Sequence, residues 1–181
     1  LAQSLNDQAL QAEVLDSVAR MQRDAGDVEQ ALQTYQDALT LAQESGNGQL
    51  ESRALENIGR FYRDTGQLTQ AMDFYQQLLV KAQTAADQRA EAGALDNIAR
   101  IQRDSGNLNE ALASYQAVLA LAEEMGDTQL GLASQTNIAN TYSHLSRYDE
   151  AKSAYETLLA EAKRSGDQAL EAKTLQNLGN L

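Results

Sequence analysis

Residues 48–87 read GQLESRALENIGRFYRDTGQLTQAMDFYQQLLVKAQTAAD. Within them Leu55, Ile58, Gly59 and Tyr62 fall at i, i+3, i+4 and i+7, one face of a helix. Asn47, just before the stretch, is a cap residue whose side-chain oxygen can accept an orphan backbone N–H, so a first helix is expected over about 49–64. Gly66 ends it, because glycine takes the left-handed conformation at little cost. A second helix is expected from near Thr69, again a capping residue type, to about Ala85. Its buried face is Ala71, Met72, Tyr75, Leu78 and Leu79.

The same outline recurs when the sequence is displaced by 40 residues. Asp24-Ala25-Gly26, Asp64-Thr65-Gly66 and Asp104-Ser105-Gly106 align, as do Tyr35, Tyr75, Tyr115 and Tyr155. Asn47, Asp87, Asp127 and Asp167 share a register, with Asp7 one period earlier, and Asn109 and Asp149 repeat the second cap of Thr69. Segments 8–47 and 88–127 are identical at about half of their positions, which marks an internal repeat. The expected organisation is a single array over 1–181: the end of a preceding unit at 1–7, units at 8–47, 48–87, 88–127 and 128–167, and a partial fifth at 168–181. Both ends cut through a unit and neither carries a polar terminal cap, so a fragment of a longer array is expected.

Small residues have a packing role in this outline. Ala19, Gly59, Ala99, Ala139 and Gly179 sit midway along the first helices, and Ala31, Ala71, Ala111 and Ala151 early in the second. They let two antiparallel helices approach closely, while the tyrosine row fills the wider gap toward the next unit. At helical spacing beside Ala and Leu, those tyrosines read as core and not as an aromatic binding cage.

Apolar-x2-Ile/Leu-Gly/Ala, then Gly-x4-Ala-x3-Tyr, resembles the tetratricopeptide repeat pattern over the whole chain. The resemblance implies an all-α fold: a right-handed superhelical α-solenoid of tandem antiparallel helix pairs, with first helices on the concave face and second helices on the convex one. Two features depart from the usual unit. Leu15, Leu55, Leu95, Gln135 and Leu175 replace the family's Trp. Gln43, Gln83, Glu123 and Lys163 stand where a unit of ~34 residues would end at Pro, so the second helices are expected to run on. Such long units resemble the Pins/LGN-like adaptors, whose defining phrase matches Asn177-Leu178-Gly179-Asn180, and several bacterial regulators.

In that fold the polar side of each first helix faces the groove. In the second unit that side carries Arg53, Glu56, Asn57, Arg60, Arg63 and Asp64. Three rows are expected: Asn57, Asn97, Asn137 and Asn177; Arg20, Arg60 and Arg100, continued by Asn140 and Asn180; and Arg23, Arg63 and Arg103, continued by Ser143. An Asn amide both donates and accepts, which suits an extended peptide backbone. Arg offers a planar fork for carboxylates. A peptide-binding ladder selecting acidic or polar segments follows. The competing reading is an ion-pair ladder, since Asp16, Glu56 and Asp96 stand four residues before Arg20, Arg60 and Arg100, and Asp24, Asp64 and Asp104 four after. For the Asn row no local charge or cap offers such an explanation.

The net charge of −12 disfavours nucleic acid or an anionic membrane as partner, because both need clustered Lys and Arg. The chain has no Cys, which removes disulfides, thiolate metal sites and cysteine nucleophiles together. No phosphate loop, metal cluster or triad spacing is present, so neither a cofactor nor an enzymatic role is expected. His144, the one histidine, reads as a surface or interface residue, and adjacent helix positions rule out a Ser143–His144 nucleophile pair. Nothing resembles a signal peptide or a membrane span, so a cytoplasmic protein is expected. The leading expectation is a scaffold or adaptor for an extended peptide. The alternative is the ligand- or peptide-sensing segment of a larger bacterial regulator. A carboxylate-clamp co-chaperone fits poorly, because Asp16 and Glu56 have the wrong sign. End-to-end self-association is also expected, through apolar faces at Leu170, Leu175 and Leu178 left without a neighbour.

Overall fold

The computed structural model describes residues 2–181, with side chains from residue 7 onward. Nine helices and no strand occur among the described residues: α1 (Ala2–Ala25), α2 (Val28–Ser45), α3 (Gly48–Asp64), α4 (Leu68–Thr84), α5 (Gln88–Asp104), α6 (Leu108–Met125), α7 (Thr128–His144), α8 (Tyr148–Ser165) and α9 (Gln168–Gly179). They form tandem antiparallel pairs, first helix odd and second helix even. The chain divides into two compact units, Leu1–Ala90 and Glu91–Leu181.

The first-helix cap behaves as expected. Asn47 accepts from the backbone N–H of Gln49 and Leu50, and Asp127 and Asp167 act in the same way on α7 and α9. The second-helix cap does not. The residues at that position are Gln67, Asn107 and Arg147, and none makes a side-chain capping bond. Thr69, Asn109 and Asp149 lie inside the first turn. The reason is the brevity of the link: Ala71 N–H already bonds to Gln67 O at 3.0 Å, so the helix starts before Thr69 is reached. Asp149 and Glu150 still favour the start of α8, where backbone N–H groups carry partial positive charge. The second helices do run on: α4 continues through Gln83 to Thr84, and α8 through Lys163 to Ser165.

Helix α1 runs unbroken through Asp7, where the repeat places a turn. Elsewhere this turn needs a left-handed residue: Gly46, Gly126 and Gly166 have φ of 67°, 66° and 73°. Asn6 stands at the equivalent position and the chain does not turn there.

The first unit's core joins Ala19, Ala31, Tyr35, Ile58 and Phe61. Tyr35 of α2 meets Phe61 of α3 edge-on, with ring centroids 6.2 Å apart, so the tyrosine does fill the gap toward the next helix pair. A methyl group on Gly59 would lie 2.9 Å from Cε1 of Tyr75, which is the close approach that the small residue permits. The second unit repeats the arrangement with Ala99, Ala111, Tyr115 and Ile138, then with Ala139, Ala151, Tyr155 and Leu158. Burying one such tyrosine removes 150–250 Å² from water, so this row dominates the packing. Leu178, expected to lack a neighbour, packs against the last cluster, while Leu175 remains 49% exposed. At the other end Leu10, Val14 and Met21 of α1 are exposed.

Candidate peptide-binding face

In the first unit, α1 and α3 bring Arg20, Arg23, Arg53, Asn57, Arg60 and Arg63 to their polar sides. Their centre is Asp16, only 3% exposed. A carboxylate so placed needs partners. Asn57 Nδ2 donates to its Oδ1, and Nε of both Arg20 and Arg53 lies 3.6 Å from its Oδ2. Asn57 is itself buried, so its amide is committed to α1. Arg60 pairs with Glu56 at 2.7 Å, and both side chains stay more than two-fifths exposed.

Asp24 and Asp64 do not pair with Arg20 and Arg60 as the four-residue spacing implied. They bond instead to the adjacent Arg23 and Arg63, at 2.8 and 3.0 Å. Both acids sit at the end of a first helix, where the arginine can fold back along the last turn. The Asp24 carboxylate raises the Arg23 guanidinium above its ordinary pKa, against a smaller opposing effect of burial.

The second unit repeats the plan with changes. Asn137 Nδ2 lies 3.4 Å from Asp96 Oδ1, the same 41-residue step that joins Asn57 to Asp16. Asn97 donates to the carbonyl of Gly93 in its own helix at 2.9 Å. Arg103 bonds to Asp104 at 2.9 Å, and Arg100 is exposed. Asn177 Nδ2 donates to Asn140 Oδ1 at 3.1 Å. Three of the row, Asn57, Asn137 and Asn177, therefore have a structural explanation: they tie successive first helices together. For Asn57 and Asn137 the signal was present as an acid one unit and one residue upstream, but a search within single helices misses it.

Tyrosine hydroxyls reach this face from below. Tyr155 Oη donates to Asn140 Oδ1 at 2.6 Å. Tyr35, Tyr75 and Tyr115 hydroxyls are buried and find no hydrogen-bond partner. At their positions Arg20, Arg60 and Arg100 replace Asn140, and a guanidinium offers no acceptor for a phenol proton. Burial pushes Tyr75 and Tyr115 up to about 12.

Among the described residues, no group of three or more His, Cys, Asp or Glu could hold a metal ion. His144 is exposed at the end of α7. No helix among them is long and apolar enough to cross a membrane.

A tetratricopeptide repeat family model matches residues 10–83, 50–124 and 89–160. No curated protein matches the sequence. Among solved structures, BtubC (BKLC) from P. vanneervenii is similar with 20% identity and a TM-score of 0.81, over 99% of this chain and 80% of that one. A signal transduction ATPase of the STAND class with a tetratricopeptide repeat sensor, from Pyrococcus horikoshii, is similar at 15% identity and TM-score 0.82, over 92% of this chain and 26% of that one. The Rap conjugation gene regulator of plasmid pLS20, in complex with the Phr* peptide, is similar at 16% identity and TM-score 0.71, over 92% and 46%. At these identities the likeness is one of fold.

Proposed function

We propose that this chain, which belongs to the tetratricopeptide repeat family, is a protein-interaction scaffold that holds an extended acidic or polar peptide against the arginine-bearing side of its first helices. The observation that carries the reading is the placement of charge. In a chain of net charge −12, five arginines (Arg20, Arg23, Arg53, Arg60 and Arg63) gather on this side of the first unit, and Arg20 and Arg60 keep 52% and 41% of their side chains exposed. The present partner of Arg60, Glu56, sits on exposed helix surface, where an ion pair contributes about 0–1 kcal/mol, so a peptide carboxylate can take its place at small cost.

Within this reading the residues divide by task. In the first unit Arg20 and Arg60 meet the ligand, with Arg23 and Arg63 held by Asp24 and Asp64; Arg100 and Arg103 are the equivalent residues of the second unit. Asn57, Asn137 and Asn177 hold neighbouring first helices in step, and Asn140 joins Tyr155 to Asn177. The similarity to a Rap protein solved with a peptide supports this use of the fold.

The test is fluorescence anisotropy with two labelled peptides of equal length, one alternating glutamate and serine, the other lysine and serine. The glutamate peptide should bind and lose most of its affinity to the Arg60→Ala, Arg63→Ala variant. Equal binding of both peptides, or no effect of the substitutions, would refute the reading.

A second reading is favoured by the similarity to a repeat segment named as the sensor of an ATPase. Here the array would be the ligand-sensing part of a regulator, and the ligand would have to bind one state of the sensor better than another. The full reading frame tests it: a flanking ATPase, kinase or DNA-binding segment would support this reading, and a frame without an effector segment would exclude it.

A further inference from the structure

The outer side of the second unit carries a cleft of about 760 Å³, framed by the second helices α6 and α8 with the start of α7 as its floor. Leu119, Ala122, Gly131, Leu132 and Ala160 supply its apolar surface. It lies away from the arginine side, being built on the second helices.

In the first unit the equivalent space is divided. Displaced by 80 residues, the cleft corresponds to two separate hollows, one lined by Glu51, Leu55, Val80 and Lys81, the other by Gly46, Gly48, Ser52 and Lys81. Lys81 belongs to both. Its ammonium reaches Glu51 at 2.5 Å, and a methyl group on Gly48 would lie 3.8 Å from the same nitrogen. The Lys81–Glu51 ion pair is thus a strap across the groove, with Leu55 beneath it buried to 2% exposure. In the second unit each part of this closure is replaced. Gly131 stands for Glu51, Glu161 for Lys81, Gln135 for Leu55 and Ala160 for Val80. Glu161 pairs instead with Arg164 of its own helix, at 2.6 Å. With the strap gone the two hollows are continuous; what changes is their division and not their size, the cleft at about 760 Å³ being no larger than the greater hollow at about 850 Å³.

The rim is acidic in balance. Glu123, Asp127, Glu156 and Glu161 line it beside Arg164; Glu161 pairs with Arg164 at 2.6 Å, Glu156 has Lys152 at 4.0 Å and Asp127 caps α7, which leaves the rim net negative. We propose that this cleft is a second docking site, and that its occupant is a basic amphipathic peptide segment, placing a leucine-sized side chain on the floor and lysine or arginine against the rim. Apolar burial supplies the attraction and the carboxylates select the sign. The two sides of the chain then take ligands of opposite charge: acidic on the first helices, basic in the outer cleft.

Gly131→Phe tests the site without touching the arginine side. A Cβ at Gly131 would meet Leu119 and Ala122 at 3.9 and 4.0 Å, ordinary contact distances, so a ring can enter the cleft without forcing the floor apart. The probe is a fluorescein-labelled peptide alternating lysine and leucine, titrated by anisotropy, with circular dichroism to confirm folding. Wild-type protein should bind it. Gly131→Phe should weaken binding about tenfold or more, the effect of losing one buried aliphatic contact. The Glu123→Gln, Glu156→Gln variant, which keeps the cleft's size, should weaken it and flatten its salt dependence. Arg60→Ala, Arg63→Ala should leave it unchanged, so this site fails or stands separately from the arginine side. No binding to wild-type protein, or equal binding to wild type and to folded Gly131→Phe, overturns the proposal, as does equal binding of a peptide alternating glutamate and leucine.

Discussion

Tyr155 Oη and Asn177 Nδ2 both donate to one oxygen, Oδ1 of Asn140, at 2.6 and 3.1 Å. The other three units of the repeat place arginine where Asn140 stands, and there the tyrosine hydroxyl has no partner. One substitution in the series therefore decides whether a buried phenol is satisfied. Removing the hydroxyl should expose the difference. Tyr155→Phe should lose about 1 kcal/mol of stability, the net value of a typical hydrogen bond, whereas Tyr75→Phe and Tyr115→Phe should be neutral or stabilising. Urea unfolding followed by circular dichroism checks this; equal losses at all three positions would contradict it.

The same burial sets a limit at high pH. Tyr75 and Tyr115 are raised to about 12 in the folded protein, above the value of about 10 that a tyrosine has when unfolded. A raised pKa means the folded state keeps the proton longer. The stabilisation is fully present below pH 10 and is lost as pH rises from about 10 through about 12, because the unfolded chain ionises first. Wild-type protein should lose stability steeply across this interval, and the Tyr75→Phe, Tyr115→Phe variant less steeply. Unfolding midpoints in urea measured at half-unit steps of pH provide the check.

Asn57 and Asn177 occupy the same place in their units but differ in what they hold. Asn57 is buried on the carboxylate of Asp16, while Asn177 bonds to the amide oxygen of Asn140. Asn57→Ala withdraws a donor from a buried charge and should cost about 1–3 kcal/mol. Asn177→Ala, which withdraws a donor from the uncharged Asn140 amide, should cost less. Differential scanning calorimetry on the two variants distinguishes them, and the reverse order would contradict the structure.

Much of this architecture can be read from the repeat itself. The 40-residue period, the Asn47 cap and the Tyr–Ala alternation locate the helices and their buried faces, because each is a local or periodic signal. What the sequence hides lies between helices. Thr69 looks like a cap, yet the turn after Gly66 is too short to use it. Asp24 looks like a partner of Arg20 at helical spacing, yet at a helix end Arg23 reaches it first. The Asn row looks unemployed until α1 and α3 stand side by side and Asp16 meets Asn57. The outer cleft depends on what Gly131 and Glu161 no longer do, which appears only beside the Lys81–Glu51 pair.

Two turns depart from the glycine pattern. Ala86 and Ser146 have φ of 53° and 59°, in the left-handed region that disfavours a side chain. The conformation costs such residues roughly 1–2 kcal/mol, and replacement by glycine returns part of that as unfolded-state entropy. Ala86→Gly and Ser146→Gly should each gain about 0.5–1 kcal/mol, while Ala85→Gly, where φ is −85°, should lose stability. Thermal unfolding of the three single variants is the check.

The location of the acidic-peptide site is the claim on which the functional reading rests. The most direct measurement is nuclear magnetic resonance of the arginine Nε–H groups during titration with the glutamate–serine peptide. The expected result is saturable shifts of Arg20, Arg60 and Arg100, with Arg164 on the outer side of the second unit unmoved. Shifts confined to Arg164, or to backbone amides of α4 and α8, would place the ligand on the second helices and contradict it.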